Sequence, residues 1–182
     1  SVLSKYIANI VVKERDGHKV NETPRFPPVT GKRPAGLKPL LDREGPEAVA
    51  KWVLDQKKLL ITDTTCRDAH QSLLATRVRT RDIVKGMEGT SEILGNAFSL
   101  ECWGGATFDV AYRFLPESPW ERLDLIRAKA ANLLLQMLLR GANVEGYTNY
   151  TDKGIREFTK EAARPGLDEF RVFRSEERRG GQ

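Results

Sequence analysis

The chain has 182 residues, 40% of them hydrophobic, and a net charge of +5. That is enough for one ordinary domain or for parts of two, and no apolar run approaches the length that spans a bilayer. Residues 1–58 carry 12 basic and 7 acidic groups, residues 59–170 carry 14 and 16, and residues 171–182 carry 4 and 2. The positive charge is therefore spread over the flanks, and no concentrated basic face argues for nucleic acid.

The opening SVLSKYIANIVVKERDG has neither the apolar core nor the small-residue cleavage site of a secretory signal, so a cytosolic or organelle-matrix protein is expected. Within it, YIANIVV suits a strand or a short helix before the polar turn Asp16-Gly17-His18. Residues 21–46 are then punctuated by Pro24, Pro27, Pro28, Gly31, Pro34, Gly36, Pro39, Gly45 and Pro46, which predicts an extended linker with little regular structure. Pro46 suits the first turn of a short helix to about Leu54, burying Val49, Trp52 and Val53.

From Leu59 the pattern changes. Leu59-Leu60-Ile61, Ala97-Phe98-Ser99-Leu100, Leu133 to Leu139 and Glu169 to Phe173 are short apolar strand candidates. Helical patterns separate them. Ser118-Pro119-Trp120-Glu121 is a capping box with proline at the first helical position, followed by Leu123, Ile126 and Ala130 on one face. Thr151 or Asp152 caps another helix, with Ile155, Phe158 and Ala162 inward and Pro165-Gly166 as its stop. The helix near Asp82–Leu94 is weakened by Gly86 and Gly89. Four such units predict a parallel α/β sheet, either doubly wound or part of a (β/α)8 barrel. A whole barrel takes about 250 residues, whereas 124 remain from Leu59 onward (182 − 59 + 1).

In parallel α/β folds chemistry gathers beyond the carboxyl ends of the strands, and the polar clusters follow that rule. Arg67, Asp68, Ala69, His70 and Gln71 follow the first strand. Trp103 to Asp109 follow the second, and Arg140-Gly141-Ala142-Asn143 with Gly146 to Tyr150 follow the third. Plainer roles stand beside these. Arg67 and Asp68 suit a structural ion pair, His70 a hydrogen-bonded loop histidine, and Gln71 a backbone cap. Gly104-Gly105 suits a tight turn, Asp109 a helix N-cap, and Tyr147 and Tyr150 packing. Arg140, ending an apolar strand, needs an anion or acceptor. Cys66 and Cys102 lack a CxxC partner and suit reduced packing residues.

TDTTCRDAHQSLLATRVRT, LECWGGATFDVAYRFLPESPWERL and LLLQMLLRGANVEGYTNYTD resemble the carboxyltransferase domain of pyruvate carboxylases. The preceding PAGLKPLLDREGPEAVAKWVLDQKKLLITDTT is similar to the segment entering that domain, and the match covers most of residues 33–173. The resemblance implies the first half of a (β/α)8 TIM barrel, about four strand–helix units over residues 59–173. A linker over residues 1–58 precedes it, and an atypical tail over residues 174–182 follows. It implies transfer of a carboxyl group from carboxybiotin to pyruvate, giving oxaloacetate. Asp68 matches a ligand to a divalent metal (zinc or manganese), Arg67 through Gln71 the substrate-contacting run, and Arg140 the arginine that holds pyruvate. Asp109 and Tyr147 match positions near the biotin and substrate pocket. In this family a carbamylated lysine and two histidines complete the metal site and a threonine shuttles the proton, all in segments beyond this sequence. Biotin on its carrier domain, ATP used by a biotin carboxylase domain, and homo-oligomerisation are implied for the whole enzyme, in cytoplasm or mitochondrial matrix. Neither nucleic acid nor membrane is expected as a partner. The chain is expected to be inactive alone. The alternatives are an interaction-only module, or a carboxyltransferase subunit of an oxaloacetate decarboxylase or transcarboxylase.

Overall fold

Proline starts helices here rather than preventing them. The computed structural model describes residues 28–144, 146 and 148–173; the YIANIVV segment, Tyr147 and the 174–182 tail lie outside the described residues. Helix α1 (Lys38–Glu44) has Pro39 in its first turn, and α2 (Pro46–Asp55) begins on Pro46. The expectation of extended chain up to Pro46 is thus corrected at α1: proline's fixed φ suits a first helical turn, where its missing N–H costs nothing. Gly45, at φ +83°, makes the corner between the two helices and donates its N–H to Leu41 O at 2.9 Å. Leu37 and Val49 bury against Leu134, with Leu40, Leu41, Trp52 and Phe98 around them.

Four parallel strands follow, in the order β1 (Thr62–Asp63), β2 (Ser99–Gly104), β3 (Leu134–Leu139), β4 (Glu169–Val172). Strand neighbours in space are neighbours in sequence, as in a barrel wall; a doubly wound sheet reverses its order at a switch point. Helices α3 (His70–Leu74) and α4 (Thr80–Ile93) lie between β1 and β2. Helices α5 (Gly105–Arg113) and α6 (Pro119–Lys129) precede β3, and α7 (Asp152–Ala163) precedes β4.

Two strand boundaries move. The first strand forms after Leu59-Leu60-Ile61: Ile61 O accepts Phe98 N–H at 2.8 Å, and the ladder begins at Thr62 with Ser99. Leu59 and Ile61 are 88% and 62% exposed, so their apolarity does not mark a buried strand here. The second runs on to Gly104, with a register shift between Glu101 and Trp103. An extra residue in one strand rotates the side chains beyond it. Cys102 and Trp103, although consecutive, both join the helix-facing core.

That core is built by Leu100, Leu133, Leu135, Met137 and Leu139 against Ile83, Met87, Leu123, Ile126 and Ala162. It explains why α4 is continuous despite Gly86 and Gly89: burial of Ile83 and Met87 outweighs the lower propensity. Both predicted caps are present, with Ser118 Oγ accepting from Glu121 N at 3.3 Å and Thr151 Oγ1 from Gly154 N at 3.2 Å. The opposite face of the sheet is polar. Thr62 and Ser99 hydroxyls lie 2.8 Å apart, and Gln136 donates to Ser99 Oγ at 3.5 Å. Among the described residues no helix is long and apolar enough to cross a membrane.

Candidate functional site at the carboxyl end of the sheet

The chain leaves β1 through a π-helical turn, Thr65–Ala69, which carries Arg67 and Asp68. Asp63 organises its start: the carboxylate accepts from Thr65 N at 3.2 Å and Thr65 Oγ1 at 2.9 Å. Arg67 points inward and is buried, whereas the Asp68 side chain is 54% exposed. The two form the expected ion pair, Nη1 to Oδ1 at 2.9 Å. The stronger partner of Arg67 is one the sequence reading did not name. Its Nε and Nη2 both bond Oε1 of Glu101, a fully buried carboxylate on β2. Glu101 Oε2 in turn accepts from Arg171 Nε at 2.7 Å and Nη2 at 2.6 Å, on β4.

The Arg67 stem passes close to Gly104 at the end of β2. A Cβ there would lie 3.3 Å from Arg67 Cδ and 3.5 Å from Leu138 O, on β3. Arg67 therefore sits beside the carboxyl end of β2, and Arg140 leaves the neighbouring β3 two residues beyond Leu138. Arg140 opens a short 3-10 turn, Gly141–Asn143, and its Nη1 donates to Gly146 O at 3.4 Å. Tyr150 N–H bonds Ala142 O at 2.8 Å and closes this loop. Tyr147 lies outside the described residues.

Ala69 ends the π-helical turn, and Gln71 sits half-buried in α3. His70 is buried, and neither ring nitrogen has a hydrogen-bond partner among the described residues. It is therefore not the hydrogen-bonded loop histidine expected. Burial, together with the nearby Arg122 and Arg67 guanidinium groups, lowers its pKa to about 4. Burial likewise pushes the Cys66 thiol up to about 12, helped by Asp63, so the group stays protonated. Burial also raises the Cys102 thiol. Asp109 lies inside α5 rather than at an N-cap and pairs with Arg113 Nε at 2.7 Å, one turn along.

Asp68 offers one oxygen donor to a metal. Among the described residues no three His, Cys, Asp or Glu side chains gather as a ligand set. A tetrahedral or octahedral divalent ion needs more donors than that, so these residues alone do not hold one. Glu101, Arg171 and Asp63 are not singled out by the sequence pattern, and Gly104, expected in a tight turn, instead ends β2 beside the Arg67 stem. Glu101 did leave a signal, as a charge inside the buried apolar run Phe98-Ser99-Leu100-Glu101-Cys102-Trp103, which demands a partner.

A parallel β/α wall with its polar loops, two arginines among them, gathered beyond the carboxyl ends of the strands is the architecture of an α/β barrel. No family model matches the chain. Over 177 residues it is 50% identical to the pyruvate carboxylase of Bacillus subtilis (strain 168), covering 93% of this chain and 15% of that protein. The solved carboxyl transferase domain of Rhizobium etli pyruvate carboxylase superposes with a TM-score of 0.79 at 51% identity, covering 94% of this chain and 30% of that one. The same domain solved with pyruvate and biocytin gives a TM-score of 0.77 at 57% identity, over 84% of this chain and 26% of that one. This chain is homologous to the carboxyltransferase region of pyruvate carboxylases, and its sheet is part of that domain's TIM barrel. It spans about 15% of the length of that curated relative.

Proposed function

We propose that this chain provides the pyruvate-holding part of a biotin-dependent carboxyltransferase that makes oxaloacetate. The observation that carries the proposal is the placement of Arg67 and Arg140 at one end of the same parallel sheet, with Arg67 fixed by a buried carboxylate. The similar domain bound to pyruvate and biocytin supports the choice of substrate. Arg140 grips the pyruvate carboxylate with directed hydrogen bonds. The Arg67 Nη1 edge and the Gln71 amide N–H donate to the keto oxygen, where negative charge grows as the methyl proton leaves. Asp109, with its side chain one-third exposed, offers acceptor surface for an N–H such as that of a ureido ring. Carboxybiotin, when bound, would supply the carboxyl group that joins the methyl carbon, and its ureido nitrogen, left with the electron pair of the broken N–C bond, would take up the methyl proton. The carrier and biotin carboxylase domains act on other parts of the whole homo-oligomeric protein, in the cytoplasm, as fits the bacterial relative.

The test is Arg140→Met in the full-length protein. Losing a charged anchor removes about 1.5–3 kcal/mol of binding, which is roughly 10- to 150-fold in kcat/KM for pyruvate. Bicarbonate-dependent ATP cleavage, carried out elsewhere in the protein, stays within about twofold of the original. Unchanged kcat/KM for pyruvate would refute the assignment.

A further inference from the structure

Arg67 does not set its own direction. We infer that Glu101 is a positioning residue for the pyruvate site, held in place by Arg171, and that it acts through Arg67. The inference rests on the functional reading above. Strand β2 is buried along its whole length, and Glu101 has no exposed surface. A lone carboxylate there is disfavoured, and one arginine suffices to neutralise it. Two are present, and they divide the carboxylate between them. Oε1 takes Nε and Nη2 of Arg67, while Oε2 takes Nε and Nη2 of Arg171 at 2.7 and 2.6 Å.

The geometry has a directional consequence. Gripping through Nε and Nη2 uses one edge of the Arg67 guanidinium and leaves Nη1 facing away, 2.9 Å from Asp68 Oδ1. Turning that plane breaks two charged hydrogen bonds at once. Glu101 cannot follow such a turn, because Arg171 holds its other oxygen from β4. Gly104, with no Cβ, leaves room for the Arg67 stem to pass close to the end of β2. Charges then alternate in the order Arg171, Glu101, Arg67, Asp68, running from the fourth strand to the turn after the first. Beyond neutralising a charge, this arrangement fixes which edge of Arg67 meets the substrate, and pre-set donors of that kind favour developing charge.

The experiment compares three variants of the full-length protein: Glu101→Gln, Glu101→Gln/Arg171→Gln and Arg67→Lys. Thermal melting and pyruvate kinetics are read on each. Glu101→Gln leaves two arginines sharing a neutral amide, so both melting temperature and kcat fall. The double variant restores charge balance and recovers the melting temperature. Its kcat stays at least about thirtyfold low, with a smaller change in KM, because Arg67 is no longer held against rotation. A purely structural pair would recover kcat along with melting. The inference is overturned if either folded Glu101 variant keeps kcat within about threefold of the original while Arg67→Lys loses it. If Arg67→Lys itself keeps full kcat, the role of Arg67 in the site fails, and the inference falls with it.

Discussion

Replacing Glu117 with glutamine should unpin the loop behind the arginine-bearing turn. Glu117 Oε2 accepts from Thr80 N at 2.9 Å, Thr80 Oγ1 at 2.7 Å and Arg122 Nη2 at 3.0 Å. Arg122 is fully buried and also reaches Val78 O at 3.1 Å, so Glu117 is the counter-charge for a cation that water does not solvate. Burial works against the Glu117 carboxylate, but the bonds from Thr80 and Arg122 outweigh it and hold its pKa at about 2. Breaking a fully buried pair costs about 3–5 kcal/mol. Glu117 is 20% exposed, and glutamine keeps one acceptor, so about 2 kcal/mol at pH 7 is expected. The sign follows from linkage. The folded pKa lies below the unfolded one, so the stabilisation is complete above pH 4.5 and is lost as pH falls toward about 2. Urea unfolding of both forms should show a midpoint gap of about 1 M at pH 7 that closes as the pH is lowered through this window. A gap below about 0.5 kcal/mol at pH 7, or one that persists unchanged to low pH, would refute the reasoning.

Two further outcomes are expected. Gly36→Ala places a Cβ 2.0 Å from Asn132 O at a φ of +65°, so it should lower stability by about 2–4 kcal/mol in urea titrations; a neutral substitution would mean that the segment does not dock as described. Cys66, half-buried, and Cys102, fully buried, both with thiol pKa values raised by burial, should resist an aromatic disulfide reagent in the native state and react in urea. Fast native labelling of Cys66 would contradict its protonated, enclosed state.

The parts legible in the sequence were those governed by local rules. Ser118 and Thr151 mark helix starts because a side-chain oxygen must meet free N–H groups within three residues. Leu133 to Leu139 marks a central strand because both of its faces are covered. The misplaced first strand shows the limit of that signal: apolar residues at 59 and 61 are exposed, while the ladder forms at Thr62 and Asp63. Helix α1 escapes the sequence pattern because proline, a breaker inside a helix, here occupies its first turn. In the site, the clustering of polar residues after each strand could be seen in the sequence, and the Arg67–Asp68 pair followed from adjacency. The bonds from Glu101 to Arg67 and Arg171 join residues 34 and 70 positions apart. Only the parallel register of the sheet brings such residues together.

That register also explains why one face of the sheet is polar. Hydrophobic burial alone would favour leucines where Thr62, Ser99, Glu101 and Gln136 stand, and ionic groups in such positions often stabilise less than apolar ones of equal volume. These side chains are instead satisfied by each other across neighbouring strands, through Thr62 with Ser99, Gln136 with Ser99, and Glu101 with two arginines. A side chain held by partners on separate strands cannot rotate unless the sheet itself moves, whereas a leucine core constrains only volume. The stability forgone on this face is thereby converted into a fixed direction for Arg67 at the carboxyl end of the sheet. The helix-facing core, with Trp103, Phe108, Trp120 and Phe158 at ring separations of 5.0 to 6.1 Å, supplies the apolar burial that makes such a polar face sustainable.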